Sequence, residues 1–280
     1  MKYTCIYHRA DLDGKCSAAI VLHYLKDFPG IEVDLIPWNY GEPLPDIEDE
    51  DVFMVDCCPN EVEELVEFNE KNRLVWIDHH GDKIKVANEL KFNPLGTRRE
   101  GLGACALVWE FIYPDKPMPK FIRLLSEYDV WDHSDPDTLP FQWAMRGVNS
   151  DPGSIVWFEL FSDEVAYLKL LQKGHHQYEY QVLQWENYVK SCSFETHFHG
   201  LRAIACNVMM ANSMLFDSIW DERMWDVMII YGWRRGQYHV SLYTTKKELN
   251  LGEDYAKLYG GGGHPSAAGF QCHELPFELK

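Results

Sequence analysis

Asp78, His79 and His80 close the apolar run Leu74–Ile77 in the stretch LVWIDHHGD. All three side chains are costly to bury alone, and all three can bind a metal ion. The same arrangement occurs twice more. YTCIYHRADLDG places His8, Asp11 and Asp13 just past an apolar run, and VFMVDCCP places Asp56 at the end of another. Carboxylates brought together repel one another and raise each other's pKa unless a cation neutralises them, so a metal cluster resolves the conflict. Carboxylate plus imidazole without thiolate suits manganese or magnesium better than a structural zinc, with zinc or cobalt as substitutes. Taken singly, an aspartate after a strand is ordinarily a turn residue or helix N-cap. Three strand ends carrying the same chemistry make a joint metal site the stronger reading.

For these residues to meet, the elements must align their ends. YTCIY, VDLIP, VFMVD and RLVWID read as strands. Helical spacing separates them, at Ala18, Val21, Leu22, Leu25 and Phe28, and again through NEVEELVEFNEK. This alternation predicts an α/β fold, a parallel sheet with helices on both faces, whose strand C-termini line one ligand-binding edge. Phe121, Leu124, Leu125 and Tyr128 form a further apolar helical stripe, with Asp129 beside it. Glu127, Asp132, His133 and Asp135 crowd the same segment and read as an acidic surface loop. From about 164 to 191 the chain reads as a helical connector interrupted only by Gly174, where hinge motion is open to it. The remainder carries the strand-like runs LRAIAC, DVMIIYGW and YHVSLYT. We therefore expect a catalytic domain over 1–165, a linker helix over 166–192 and a smaller mixed α/β domain over 193–280.

The last informative stretch is YGGGGHPSAAGF. Glycines 260 to 263 let a ligand approach the backbone amides closely, and the small residues after Pro265 could open a helix whose N-terminus favours an anion. No Gly-Lys-Ser/Thr follows, so it is not a Walker loop. His264 beside the glycines points to phosphate or nucleotide contact.

Lysine and arginine number 26 against 44 acidic residues, a formal net charge of −18. Such a chain is poorly suited to tracking long polyanions, while metal ions could still supply the local charge that a small phosphate substrate needs. Arg98 and Arg99, Arg234 and Arg235, and Lys246 and Lys247 are candidate anion contacts that read more simply as solvated patches. The eight cysteines lack CxxC pairing and read as reduced thiols of a cytoplasmic protein. Neither a signal peptide nor a membrane span is evident, so a soluble protein is expected. A homodimer is compatible with this reading.

In this order, HRADLDG, VDCCP, WIDHHGD, LLSEYDVWD and GGGGHPSAAGF resemble the DHH phosphoesterase superfamily, with its nano-RNase and RecJ-like branches. The resemblance spans about residues 5 to 270. It implies a two-manganese catalytic domain, a linker helix and a C-terminal DHH-associated domain that closes over the substrate. It further implies one metal on His8, Asp11 and Asp56 and a second on Asp13, Asp56, His79 and Asp129, with Asp56 bridging. Asp78 would orient its neighbours, His80 would contact the scissile phosphate, and Gly261, Gly262, Gly263 and His264 would hold a phosphate or nucleotide. Many members place three residues between the first histidine and the first aspartate, where this chain has two. The implied activity is hydrolysis of short oligonucleotides as a nano-RNase-like 3′-5′ exonuclease, with 3′-phosphoadenosine phosphate as a further substrate. Cleavage of a cyclic or linear dinucleotide, and a catalytically inactive nucleotide-binding regulator, are the alternatives.

Overall fold

The computed structural model describes residues 2–279. Four strands, β1 (Lys2–His8), β2 (Glu32–Trp38), β3 (Asp51–Val55) and β4 (Arg73–Ile77), form an all-parallel sheet in the order β2-β1-β3-β4. Strict alternation along each strand feeds two cores. Cys5, Tyr7, Phe53, Val55 and Ile77 face one side, where they pack with α1 (Leu12–Leu25), α4 (Ala104–Ile112) and α5 (Lys120–Asp129). Ile6, Val52, Met54, Leu74 and Trp76 face the other, against α2 (Val62–Lys71) and Ala87 of α3 (Gly81–Glu89). With both faces covered, β3 and β4 are near-continuous apolar runs, as buried parallel strands must be, while β2 at the sheet edge keeps Glu32 and Asp34 exposed. The expected α/β architecture is present, and helices lie on both faces.

Two short helices, α6 (Thr138–Arg146) and α7 (Ile155–Ser162), extend the first core through Phe141 and Trp157. They lead into α8 (Glu164–Cys192), 29 residues long. The chain divides into units of Met1–Tyr178 and Glu179–Lys280, so the division falls inside α8. Gly174 does not interrupt this helix. A Cβ there would lie 2.1 Å from the Pro140 carbonyl oxygen, so the glycine is where α8 packs closely on α6.

The second unit holds a six-stranded mixed sheet of β5 (Ser193–Phe198), β6 (Leu201–Asn207), β7 (Val227–Arg234), β8 (Gln237–Tyr243), β9 (Gly262–His264) and β10 (Ala267–Cys272), in the order β5-β6-β7-β8-β10-β9. Only β6 and β7 pair in parallel. Its core gathers Phe198, Ala203, Val227, Ile229, Val240, Leu242 and Phe270. One expectation fails here. The residues after Pro265 do not open a helix; they form β10, antiparallel to both β8 and β9. Ala268 and Phe270 alternate inward, and that period of two decides the segment for strand. No helix among the described residues is long and apolar enough to cross a membrane.

Candidate metal centre

At the C-terminal edge of the parallel sheet, His8 is the last residue of β1, Asp56 follows β3, and Asp78, His79 and His80 follow β4. Asp11 is the N-cap of α1, its carboxylate accepting the Gly14 amide at 2.9 Å, and Asp13 sits in the first turn. Asp129 ends α5. The ligand atoms fall into three overlapping groups, each within 4.8 Å: His8, Asp11 and Asp56; Asp13, His79 and Asp129; and Asp56, Asp78, His79 and His80. Asp56 belongs to two of them. His8 Nδ1 lies 2.8 Å from Asp11 Oδ2 and 3.6 Å from Asp56 Oδ2. His79 Nε2 lies 3.3 Å from Asp56 Oδ1, 3.2 Å from Asp129 Oδ2 and 3.9 Å from Asp13 Oδ2. The two-residue spacing in HRAD thus leaves His8 able to reach both carboxylates.

Asp56 is held in the left-handed region at φ 58°, a conformation uncommon for a side chain other than glycine, asparagine or aspartate. Its amide donates to Ile77 O at 3.0 Å, so the ladder to β4 persists while the side chain turns towards the histidines. The residue is buried, and its Oδ2 has no hydrogen-bond partner. An orphaned buried carboxylate oxygen is expensive unless something binds it. Burial raises the Asp13 carboxyl to about 7, and the Asp56 charge adds to this. Burial likewise lifts Asp56 to about 6 against the opposing pull of His79 and His8. Asp129 is lifted to about 7, by burial first and by Asp13 next. Asp11 goes the other way, because hydrogen bonding and charge from His8 outweigh its burial. Burial works against a proton on His8 and on His79, yet the surrounding carboxylates win and raise both to about 10. A cluster that holds protons in this way is one that divalent cations would relieve. The donor set, all carboxylate and imidazole with one acceptor left open, fits such ions.

Several partners fix this geometry. Both oxygens of Asp13 accept backbone amides at the start of α4, from Ala104 at 2.6 Å and Cys105 at 2.8 Å. The positive end of a helix thereby holds a carboxylate in the centre of the site. Gly103 makes this approach possible, since a Cβ there would meet Asp13 Oδ1 at 3.0 Å and Ser126 Cα at 2.9 Å. Asp78 is fully buried and serves the loop: its Oδ1 accepts the His79 amide at 2.7 Å and faces His80 Nδ1 at 2.6 Å, and its Oδ2 accepts from Trp76 Nε1 at 3.3 Å. Asn39 Oδ1 lies 3.1 Å from His8 Nε2, leaving Nδ1 to face Asp11 and Asp56.

The crowded acidic segment sorts itself. Glu127 binds Arg123 and Thr138, Asp135 binds Arg123, and Asp132 caps the Ser134 amide, so Asp129 is the member that reaches His79. His133 packs among Tyr128 and Trp131. Of the basic pairs, Arg98 is spent on the Trp76 and Pro94 carbonyls and Asn93, Arg99 on Glu110, and Lys246 on Asp226. Gly261, Gly262, Gly263 and His264 belong to the second unit. There Gly263 takes φ 140° and a Cβ on it would meet Ala267 O at 2.5 Å, so its glycine is needed for the tight hairpin itself. All eight cysteines are free thiols. Sequence patterns gave no hint of Asn39, Tyr40, Gly103 or Ser126, because none is a metal-type ligand. The apolar run ACALVWE behind Gly103 was the available signal for α4.

Comparison with known proteins then places the fold. Residues 2–128 match the DHH family, N-terminal domain. The matched span lies within the first unit. Asp129 lies one residue beyond the matched span. An uncharacterized protein of Acanthamoeba polyphaga mimivirus is 27% identical over 98% of this chain and 69% of its own length. A pGpG-specific phosphodiesterase from Vibrio cholerae superposes with a TM-score of 0.59 at 15% identity, over 97% of this chain and 93% of that one. An exopolyphosphatase-related protein from Bacteroides fragilis gives 0.53 at 14% identity, over 98% and 87%. At these identities the likeness is one of fold, and it extends through both units.

Proposed function

We propose that this protein is a metal-dependent phosphodiesterase that hydrolyses short oligonucleotides, releasing mononucleotides from the 3′ end with two manganese ions. The observation that carries this reading is Asp56: buried, held at φ 58°, shared between two ligand groups, and with one oxygen unpartnered. In this reading His8, Asp11 and Asp56 hold one ion, and Asp13, Asp56, His79 and Asp129 hold the other. The ions, when bound, supply Lewis-acid stabilisation of phosphoryl charge and an activated water at neutral pH. The chain's own residues do the remaining work. Asp78 fixes the His80 ring and the loop amides, Asn39 fixes His8, and the start of α4 keeps Asp13 in place despite the neighbouring charges. Gly261, Gly262, Gly263 and His264 of the second unit contact a phosphate or nucleotide, with residues 166–192 as the connection.

Short substrates suit the charge of −18 better than long ones. A linear dinucleotide is the shortest of them, and pGpG is what the Vibrio cholerae neighbour cleaves by name. The test is manganese-dependent hydrolysis of RNA of two, five and twenty-four nucleotides, a cyclic dinucleotide, 3′-phosphoadenosine phosphate and pyrophosphate. Stepwise release of mononucleotides from the shortest RNAs supports the reading. Preference for the cyclic dinucleotide replaces it with a signalling phosphodiesterase, and bound metal without turnover replaces it with a regulator.

A further inference from the structure

Trp131 stands where a glycine is expected. Helix α5 ends at Asp129, and two reversed hydrogen bonds close it, from the Asp132 amide to Glu127 O at 2.8 Å and from the Trp131 amide to Tyr128 O at 3.1 Å. In a helix end of this kind the residue between Val130 and Asp132 takes the left-handed region and is usually glycine. Trp131 takes it at φ 60°. A side chain is disfavoured there because its Cβ crowds the following carbonyl. Burial does not compensate, since Trp131 is 54% exposed. Residues kept against such a local cost cluster where ligands bind.

The surroundings point to the ligand. Two residues back, Asp129 Oδ2 lies 3.2 Å from His79 Nε2, and two peptide units hold the Cα atoms of 129 and 131 within about 7.6 Å. The Trp131 ring leans on His133 at 4.6 Å and on Tyr128 at 6.1 Å between centroids. Beside them the Arg146 guanidinium donates to the Tyr128 hydroxyl at 2.8 Å and lies 4.6 Å from the centre of the Trp143 ring. Among the described residues no carboxylate pairs with it, whereas Arg9, Arg73, Arg99, Arg123, Arg202 and Arg223 each hold one. An exposed aromatic face next to an uncompensated cation suits a ligand that is both flat and anionic, which describes a nucleotide.

We propose that Trp131 is a substrate-binding residue of the phosphodiesterase inferred above, its indole stacking on the base of a nucleotide next to the scissile phosphate. The proposal rests on that reading of the site. Every base has a π-face, so stacking serves any short oligonucleotide without reading its sequence. The contact is made before the reaction as well as during it, so its removal falls on KM more than on kcat.

The test uses the full-length, manganese-loaded protein and its Trp131→Gly variant, which suits the left-handed backbone. With a linear diribonucleotide, KM should rise about 5- to 100-fold, the range for a lost base–aromatic stack. Bound manganese should be unchanged, and the thermal midpoint should hold or rise as the backbone cost is relieved. Trp131→Tyr, which keeps an aromatic face, should restore KM to within about threefold of wild type. Diribonucleotides lacking one base, at either position, locate the partner: for one of them the wild type should lose what the glycine variant has already lost, and the two proteins should converge. If the glycine variant does not fold, Trp131→Asn, which tolerates the same backbone, takes its place. An unchanged KM, a loss that tracks lost manganese, or equal sensitivity of both proteins to removal of either base would each overturn the assignment. Wild-type protein without phosphoester turnover would instead bring down the underlying reading, and the role of Trp131 with it.

Discussion

Asp56 concentrates the argument at the scale of single residues, because it combines a left-handed backbone, full burial and an unpartnered oxygen. Asparagine tolerates the same backbone region and the same volume, whereas alanine adds strain. Asp56→Asn should therefore fold normally, lose bound metal, and lower turnover by at least about 100-fold, beyond the range seen when a metal site loses a supporting contact. Metal analysis beside a thermal melt separates these outcomes, and an Asn variant with full turnover removes Asp56 from the centre. His8, Asp11, Asp13, Asp56 and the Asp-His-His run were legible in the sequence because each is a ligand-type residue at a predicted strand end. Asn39 and Tyr40 were not, although they too follow a strand, since uncharged residues there carry no signal until distances to His8 and His80 are known. Asp129 was named over Glu127 or Asp135 only through the resemblance, and the physical reason is spatial, because Arg123 takes up the two rivals while Asp129 reaches His79.

The elements that place these residues were readable wherever periodicity was clean, as in β1 to β4, α1 and α2. The hairpin of β9 and β10 was not, because small residues after a proline suit a helix start and a strand equally until Ala268 and Phe270 are seen to alternate into the core. Gly174 shows the same limit. In an exposed helix interior, glycine to alanine stabilises by about 1 kcal/mol. Here the added Cβ would lie 2.1 Å from the Pro140 carbonyl and 2.8 Å from the Ala144 Cβ, so Gly174→Ala should have the opposite sign. Overpacking of this kind costs about 1–3 kcal/mol, and chemical denaturation should show a lowered midpoint for the first unit. In the second unit, Asp226 accepts from the Arg202 amide and guanidinium and from Lys246. The Arg202 hydrogen bonds, aided by Lys246 and opposed by burial, hold its carboxyl well below the usual range. A carboxyl depressed in the folded state contributes stability that is whole above its ordinary value near 4 and is lost as pH falls through the folded one. Asp226→Asn should thus destabilise the unit at neutral pH and flatten its stability loss below pH about 4, where wild type keeps falling. Parallel pH–melting curves for the two proteins would check this.

For the molecule as a whole, the decisive quantity is the net charge of −18, set against a site that, in the proposed function, takes anionic substrates. Proteins that bind nucleic acid through basic grooves lose affinity steeply with salt, by about 10³ to 10⁵ between 50 and 200 mM for several phosphate contacts, because counterions are released. The opposite sign is expected here. The site's attraction, in the reading above, comes from bound cations at short range, while the rest of the surface repels the distal phosphates of a longer strand. Salt shortens the Debye length from about 14 Å to about 7 Å over that range, and so weakens the repulsion more than the buried contacts. For a twenty-four-nucleotide RNA, kcat/KM should accordingly hold or rise between 50 and 200 mM salt, while that of a dinucleotide changes little, narrowing the preference for short substrates. A steep fall for the long RNA would mean that a cationic track guides it despite the overall charge, and would move the substrate class from short oligonucleotides towards extended strands.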